Sequence, residues 1–255
     1  MKRILTAAVL IPIVVYVVVW ANFWIFLAVL ATVASLTYRE YEAIAAEYGL
    51  GAPGPVGLAA GLLLLVWERD AWLLVAALAL IALSLAMRGD DLTKSLPRAA
   101  VLFIGVVYVF GCWKFAMPLR EQNPHWLMYA LLLNWAGDAG AYYVGRRFGR
   151  HKMAPRVSPQ KSWEGAAASL LTSVLLAGGY LLRFVPGISI AAAVTLTAVA
   201  NAAGQVGDLA ESAMKRGAHV KDSGAMLPGH GGFLDRVDST LFALPVIYAY
   251  VKLVG

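Results

Sequence analysis

The sequence predicts an all-α protein embedded in a membrane, with about nine transmembrane helices and a cytoplasmic N-terminus. Three observations carry this expectation. Apolar residues fill 60% of the 255 positions and charged residues only 14%, more hydrophobic surface than one soluble core of this size could bury. Apolar runs recur from one end to the other, so the embedded part is the domain itself rather than an anchor on a soluble one. We therefore expect a single unit over residues 1–255, with N-terminal helices in 1–120 and the site-forming helices and loops in 121–255. The third observation is the placement of Lys and Arg along the chain.

The first helix is expected at residues 4–20. Lys2-Arg3 followed by ILTAAVLIPIVVYVVVW imitates a signal peptide, but apolar sequence continues to about Leu36 without a small-residue cleavage site, so the segment reads as a retained span. The second, 22–38, is separated from it only at Trp20-Ala21-Asn22 and ends before Arg39. Pro53-Gly54-Pro55 breaks the chain ahead of a short third helix at 55–68, and a fourth follows at 71–87. A loop carrying Arg88, Lys94 and Arg98 leads to the fifth, 99–117, and the sixth occupies 126–145. After a basic loop come the seventh at 164–184, the eighth at 188–210 beyond the Pro186-Gly187 break, and the ninth at 238–254.

With the N-terminus inside, this count puts 16 of the 21 Lys and Arg residues on the cytoplasmic side, as the positive-inside rule requires. The net charge of +6 then marks cytoplasmic loops and anionic headgroups, and nucleic acid is discounted as a partner. Cys112 is the only cysteine and lies in an apolar run, which excludes an intrachain disulfide and a thiolate metal cluster.

Polar residues inside the spans are few and patterned. In NWAGDAGAYYVGRRFG, Asn134, Asp138 and Tyr142 stand four apart and share one helical face. Asp138 lies roughly 12 Å before Arg146 along a helix, near the inner boundary of the membrane, where an acid faces a wet cavity or a partner. A structural ion pair with an Arg of the next loop is the alternative. In NAAGQVGDLAESAMKRG, Asn201, Gln205, Asp208 and Ser212 form a stripe with Glu211 beside it, suited to lining an aqueous cleft or to gluing helices together. In the basic loop GRHKMAPRVSPQKSWEG, Ser158, Lys161 and Ser162 precede a helix start, where free N–H groups and the helix dipole favour an anion; such loops also simply hold topology.

The segment KDSGAMLPGHGGFLDRVDS concentrates charge and backbone freedom in an otherwise apolar chain. Gly229, Gly231 and Gly232 can turn N–H groups toward a phosphate while Lys221 and Arg236 supply positive charge; a plain turn is the alternative, with His230 bonded locally. Asp235 and Asp238, three apart, face the same way on the first turns of the last helix. Asp208 and Asp235, from two helices beside phosphate-binding loops, make an oxygen-rich site for a hard cation such as Mg²⁺.

From Ser212 to Asp238 the chain reads Ser, any residue, Met, Lys-Arg, four residues, Lys-Asp, any residue, Gly, two residues, Leu-Pro, any residue, His-Gly-Gly-Phe, any residue, Asp-Arg-Val-Asp. This resembles, without a mismatch, the signature of the phosphatidate cytidylyltransferases, or CDP-diacylglycerol synthases. Residues Asp138 to Gly165 and the start RILTAAVLIPIV are also similar to that family; Gln160 and Ser162 depart from it, standing where Lys or Gly and Thr are common. The resemblance implies transfer of CMP from CTP to phosphatidate, drawn from the inner leaflet of a bacterial-type plasma membrane, by a Mg²⁺-dependent homodimer whose site faces the cytoplasm. A second cation is compatible with the same carboxylates. Under that resemblance Asp208 and Asp235 hold the metal, with Asp138, Asp222 and Asp238 as outer or alternative ligands. Lys215, Arg216, Lys221 and Arg236 bind triphosphate or lipid phosphate, and Ser158 and Lys161 contact either phosphate. Ser212, Gly229, His230, Gly231 and Gly232 complete the expected substrate site. A secondary transporter would share the intramembrane acids, but the polar residues here cluster toward one side and no repeat is visible. A CTP-using lipid kinase would share the metal and nucleotide needs, and the complete signature argues against it.

Overall fold

The computed structural model describes residues 2–51, 54–68, 70–89, 91–226 and 231–254. Among them, helices stand at all nine expected positions: α1 (Lys2–Val19), α2 (Phe23–Glu47), α3 (Gly54–Val66), α4 (Ala71–Ala86), α5 (Leu92–Gln122), α6 (Pro124–Phe148), α7 (Trp163–Phe184), α8 (Ile190–Gly217) and α9 (Leu234–Val254). Five of these, α2, α5, α7, α8 and α9, are long and apolar enough to cross a membrane, while Ala8–Val19, α3 and α4 are apolar but shorter. The protein is thus an all-α polytopic membrane protein. Its one sheet among the described residues is an antiparallel hairpin of β1 (Lys152–Ala154) and β2 (Ser158–Ser162), in the segment read from sequence as an irregular loop.

Helix starts follow local chemistry. Asn22, Ser162 and Ser189 each accept an N–H from the first turn that follows, those of Ile25 (2.9 Å), Gly165 (3.2 Å) and Ala192 (3.2 Å). Asn123 caps α6 through the His125 N–H at 2.9 Å, with Pro124 at the first helical position, where its missing donor costs nothing. Single wider, π-type turns interrupt α5 at Val107–Gly111 and α7 at Val174–Gly178. The largest departure at any one helix end is in α2: the charged sequence after Tyr38 does not end it, and the helix runs on to Glu47 with Tyr38, Glu40 and Tyr41 buried.

Polarity is distributed inside out. Trp24, Trp72, Leu80 and Ile190 are largely exposed on the outside, while Asn134, Ser169, Ser173, Asn201, Glu211, Lys215 and Asp238 are buried. Large apolar side chains such as Tyr38, Phe110, Leu133 and Leu244 fill the core between the helices, and small residues and interhelical hydrogen bonds add to that packing. At the α6–α7 contact, Gly137 and Gly140 let the backbones approach. Ser173 Oγ donates to the Leu133 carbonyl (2.8 Å) and Thr172 Oγ1 to that of Ala136 (3.0 Å). At the α8–α9 contact a Cβ on Gly207 would meet the Asp238 carbonyl at 2.7 Å.

Candidate active site

A cavity of about 860 Å³ opens where α6 and α8 end and α7 and α9 begin, and every residue lining it lies between Asn134 and Ser239. From α6 come Asn134, Asp138 and Tyr142, the face the four-residue spacing predicts, followed by Gly145 and Arg146. From α8 come Asn201, Gln205, Asp208, Glu211 and Lys215; from α9, Asp235, Arg236 and Asp238. The hairpin adds Lys152, Ser158, Gln160 and Lys161, and the loop before α9 adds Asp222. Six carboxylates and five cations therefore share one wall, in a chain with only 15 acids in all.

The charges are partly paired. Lys161 Nζ lies 2.6 Å from Asp208 Oδ2. Lys215 Nζ lies 2.5 Å from Glu211 Oε2 and also donates to Asp235 Oδ1. The other Asp235 oxygen accepts the N–H groups of Ser223 (3.0 Å) and Gly232 (2.8 Å). Asp138 and Asp238 form no ion pair among the described residues, and Arg146 donates instead to the Tyr142 hydroxyl at 2.8 Å. Glu211 Oε1 is buried without a hydrogen-bond partner. Deeper in, Asn201 Nδ2 donates to Ser169 Oγ and Ser173 Oγ, both at 3.0 Å, and Gln205 Nε2 donates to Asn201 Oδ1 at 2.6 Å. The stripe on α8 thus does both jobs foreseen for it: its inner end joins helices and its outer end faces the cleft.

Of the residues singled out from sequence, Asp138, Ser158, Lys161, Asp208, Lys215, Asp222, Asp235, Arg236 and Asp238 line the cavity. Ser212 stands behind the wall, donating to Asp208 Oδ1 at 3.4 Å. Lys221 is exposed off the wall, and the Arg216 guanidinium donates to the carbonyls of Val157 (3.3 Å) and Val220 (3.0 Å), tying the hairpin to the loop after α8. Gly229 and His230 lie outside the described residues. Gly231 takes a left-handed conformation, φ 77°, and the following amides are directed at carboxylates: Gly232 N–H at Asp235, Phe233 N–H at Glu40 Oε1 (3.0 Å) and Leu234 N–H at Glu40 Oε2 (2.8 Å). Glu40 and Ser223 are the participants that sequence reasoning missed. The signal available for Glu40 was an acid between two tyrosines in YREYE, which becomes a buried position once α2 is carried past residue 38.

The donor set suits a hard cation. The wall offers carboxylate oxygens, and Asp138 and Asp238 line the cavity without a cationic partner among the described residues. Among the described residues no three acid, His or Cys side chains already converge as a metal cage.

The chain is 39% identical over 207 residues to a phosphatidate cytidylyltransferase of Staphylococcus aureus strain COL, covering 78% of each chain. It is 35% identical over 205 residues to that of Staphylococcus saprophyticus, again covering 78% of each chain. With the protein of the same name from Bacillus subtilis strain 168 it shares 35% identity over 164 residues, 63% of this chain and 61% of that one. The model of the cytidylyltransferase family matches residues 1–254, and the chain belongs to that family.

Proposed function

We propose that this protein transfers CMP from CTP to phosphatidate, forming CDP-diacylglycerol and pyrophosphate in phospholipid biosynthesis. The observation that carries the proposal is the cavity itself: alternating carboxylates and cations at one end of a bundle whose outside is apolar. An oxygen of the phosphatidate monoester attacks the α-phosphorus of CTP, the bond from that phosphorus to the bridging oxygen breaks, and pyrophosphate leaves. Positioning and charge neutralisation suffice for such a step, and no protein nucleophile is required. Lys161, Lys215 and Arg236 bind the phosphates, with Ser158 at the hairpin edge and Arg146 beside Tyr142 at the mouth. Arg216, bonded to the Val157 and Val220 carbonyls, and the exposed Lys221 would meet a triphosphate or lipid phosphate at the border of the site.

Mg²⁺, alone or with a second cation, would be held by Asp208 and Asp235 with Asp138, Asp222 and Asp238 around them, and would supply charge neutralisation at the phosphates. In that role Asp235 would release Lys215, leaving the ammonium for a phosphate oxygen. The nine helices as nine spans, an inside N-terminus and a cytoplasmic site in a bacterial-type inner membrane form part of this proposal, supported by the Lys and Arg asymmetry. A single functional unit over 1–255 acting as a homodimer rests on family resemblance. A site at the membrane edge lets the lipid enter sideways, avoiding extraction of acyl chains at about 0.8 kcal/mol per CH₂.

The test is to give the purified protein phosphatidate and CTP labelled at either the α- or the γ-phosphate. Label from the α-position on the lipid, with γ-label released as pyrophosphate, is the expected result. Lipid labelled from the γ-position would make the protein a kinase and overturn the proposal.

A further inference from the structure

We propose that Glu40, on α2 and outside the cavity wall, is a positioning residue that sets Asp235 and Lys215 for catalysis. Its carboxylate is buried, at 6% exposure, and has no cationic partner among the described residues. Three donors from the far end of the chain satisfy it: Ser223 Oγ at 2.8 Å, Phe233 N at 3.0 Å and Leu234 N at 2.8 Å. The Leu234 amide is the first of α9 and the Phe233 amide directly precedes it, at a helix end whose free N–H groups need acceptors. Phe233, just before the helix, has no side-chain acceptor to offer, so Ser223 Oγ takes the Asp235 N–H and Glu40, almost 200 residues earlier in the chain, takes the two amides before it.

The surroundings are shaped for this carboxylate. A Cβ on Gly232 would stand 2.2 Å from Glu40 Oε2, and one on Gly224 would stand 2.6 Å from Oε1. The glycines of the loop thereby acquire a second reason to be glycine, which is close approach of the Glu40 oxygens. Ser223, held by Glu40, also accepts the Asp235 N–H at 3.3 Å while its own N–H goes to Asp235 Oδ2 at 3.0 Å. Asp235 in turn accepts from Lys215, whose ammonium is shared with Glu211. One continuous hydrogen-bonded chain therefore runs from Glu40 through Ser223 and Asp235 to Lys215 on the cavity wall. Losing its first link lets the loop and the start of α9 shift, and a misplacement of about 1 Å at a reacting centre costs on the order of 100-fold in rate.

The role rests on the proposed reaction for its kinetic readout, so a second readout is independent of activity. Glu40→Gln fills the same space but puts an NH₂ against N–H donors, whereas Glu40→Asp keeps charge and both acceptors on a shorter arm. Both are compared with the unmodified protein for CMP transfer and for melting in detergent. A cysteine replacing Met226 in a Cys112→Ser background reports loop opening through its thiol-labelling rate. We expect Glu40→Gln to lose kcat on the order of 100-fold with a much smaller change in KM for CTP, to label faster at position 226, and to be surpassed by Glu40→Asp. A residue that only fills space would give the reverse ranking, Gln above Asp, and that overturns the proposal. So does wild-type kcat in Glu40→Gln, or an unchanged labelling rate. If the Glu40 variants do not fold, Ser223→Ala decides: reduced kcat at an unchanged melting point supports the proposal, and unchanged kcat overturns it. If the unmodified protein makes no CDP-diacylglycerol, the proposed reaction has failed, and labelling at position 226 alone decides between a held loop and a free one.

Discussion

The carboxylates of the cavity differ in what holds them, and that difference separates their predicted behaviour. Asp208 is a third exposed and bound to Lys161, so its negative charge contributes little to folding. Asp208→Asn is therefore expected to melt within a few degrees of the parent protein and to lose CMP transfer by at least about 100-fold, since the amide keeps shape but removes the charge that a metal or Lys161 requires. Turnover per folded molecule at saturating Mg²⁺ checks this, and a near-normal rate would remove Asp208 from the metal site. Most of the acids that line the cavity were legible in the sequence because an ionised residue within an apolar helix is conspicuous and helical spacing gives its direction. Arg216 shows the limit of that logic. It belongs to a basic pair beside Lys215, yet one residue of rotation, about 100° on a helix, sends Lys215 into the cavity and Arg216 to the carbonyls of Val157 and Val220.

At the scale of elements, the helices were readable wherever apolar length announced them and were misjudged where chemistry changed along a continuing helix. The end of α2 was set too early because Arg39, Glu40 and Glu42 look like a loop; the helix continues because Tyr38, Tyr41 and Ile44 still find a core to pack against. The hairpin was invisible for a different reason, since its strands are three and five residues long and carry no alternating apolar pattern. Tight packing between elements is the testable part. A Cβ on Gly137 would meet Ser169 Oγ at 2.6 Å, Ser173 Oγ at 2.9 Å and Asn201 Nδ2 at 3.0 Å, whereas one on Gly179 would meet nothing within 4 Å. Gly137→Ala is expected to destabilise the protein by about 1–3 kcal/mol. Gly179→Ala should be neutral or stabilise by up to about 1 kcal/mol, the ordinary helix preference for Ala. Melting curves of the two variants in the same detergent provide the comparison, and equal stability would show that α6 and α7 are not in close contact there.

For the whole molecule, 16 of the 21 Lys and Arg residues fall on the side expected to face the cytoplasm, and the hairpin carries several of them. A cysteine replacing Arg156, at the hairpin turn, in a Cys112→Ser background is expected to resist an impermeant thiol reagent in intact cells and to react once the inner face is opened. Labelling from outside would invert the protein and separate the cavity from the compartment that holds CTP. The bond from Glu40 to Leu234 spans 194 residues, and this sets an order on biosynthesis. At ribosomal speeds of about 5–20 residues per second, α2 leaves the ribosome roughly 10–40 seconds before the amides that will satisfy its carboxylate. During that interval the Glu40 carboxyl lacks the three donors that satisfy it in the finished fold and has to bond to water instead. The start of α9 can therefore dock on α2 only after the last helix has been made, and that late contact sets Asp235 at the cavity wall.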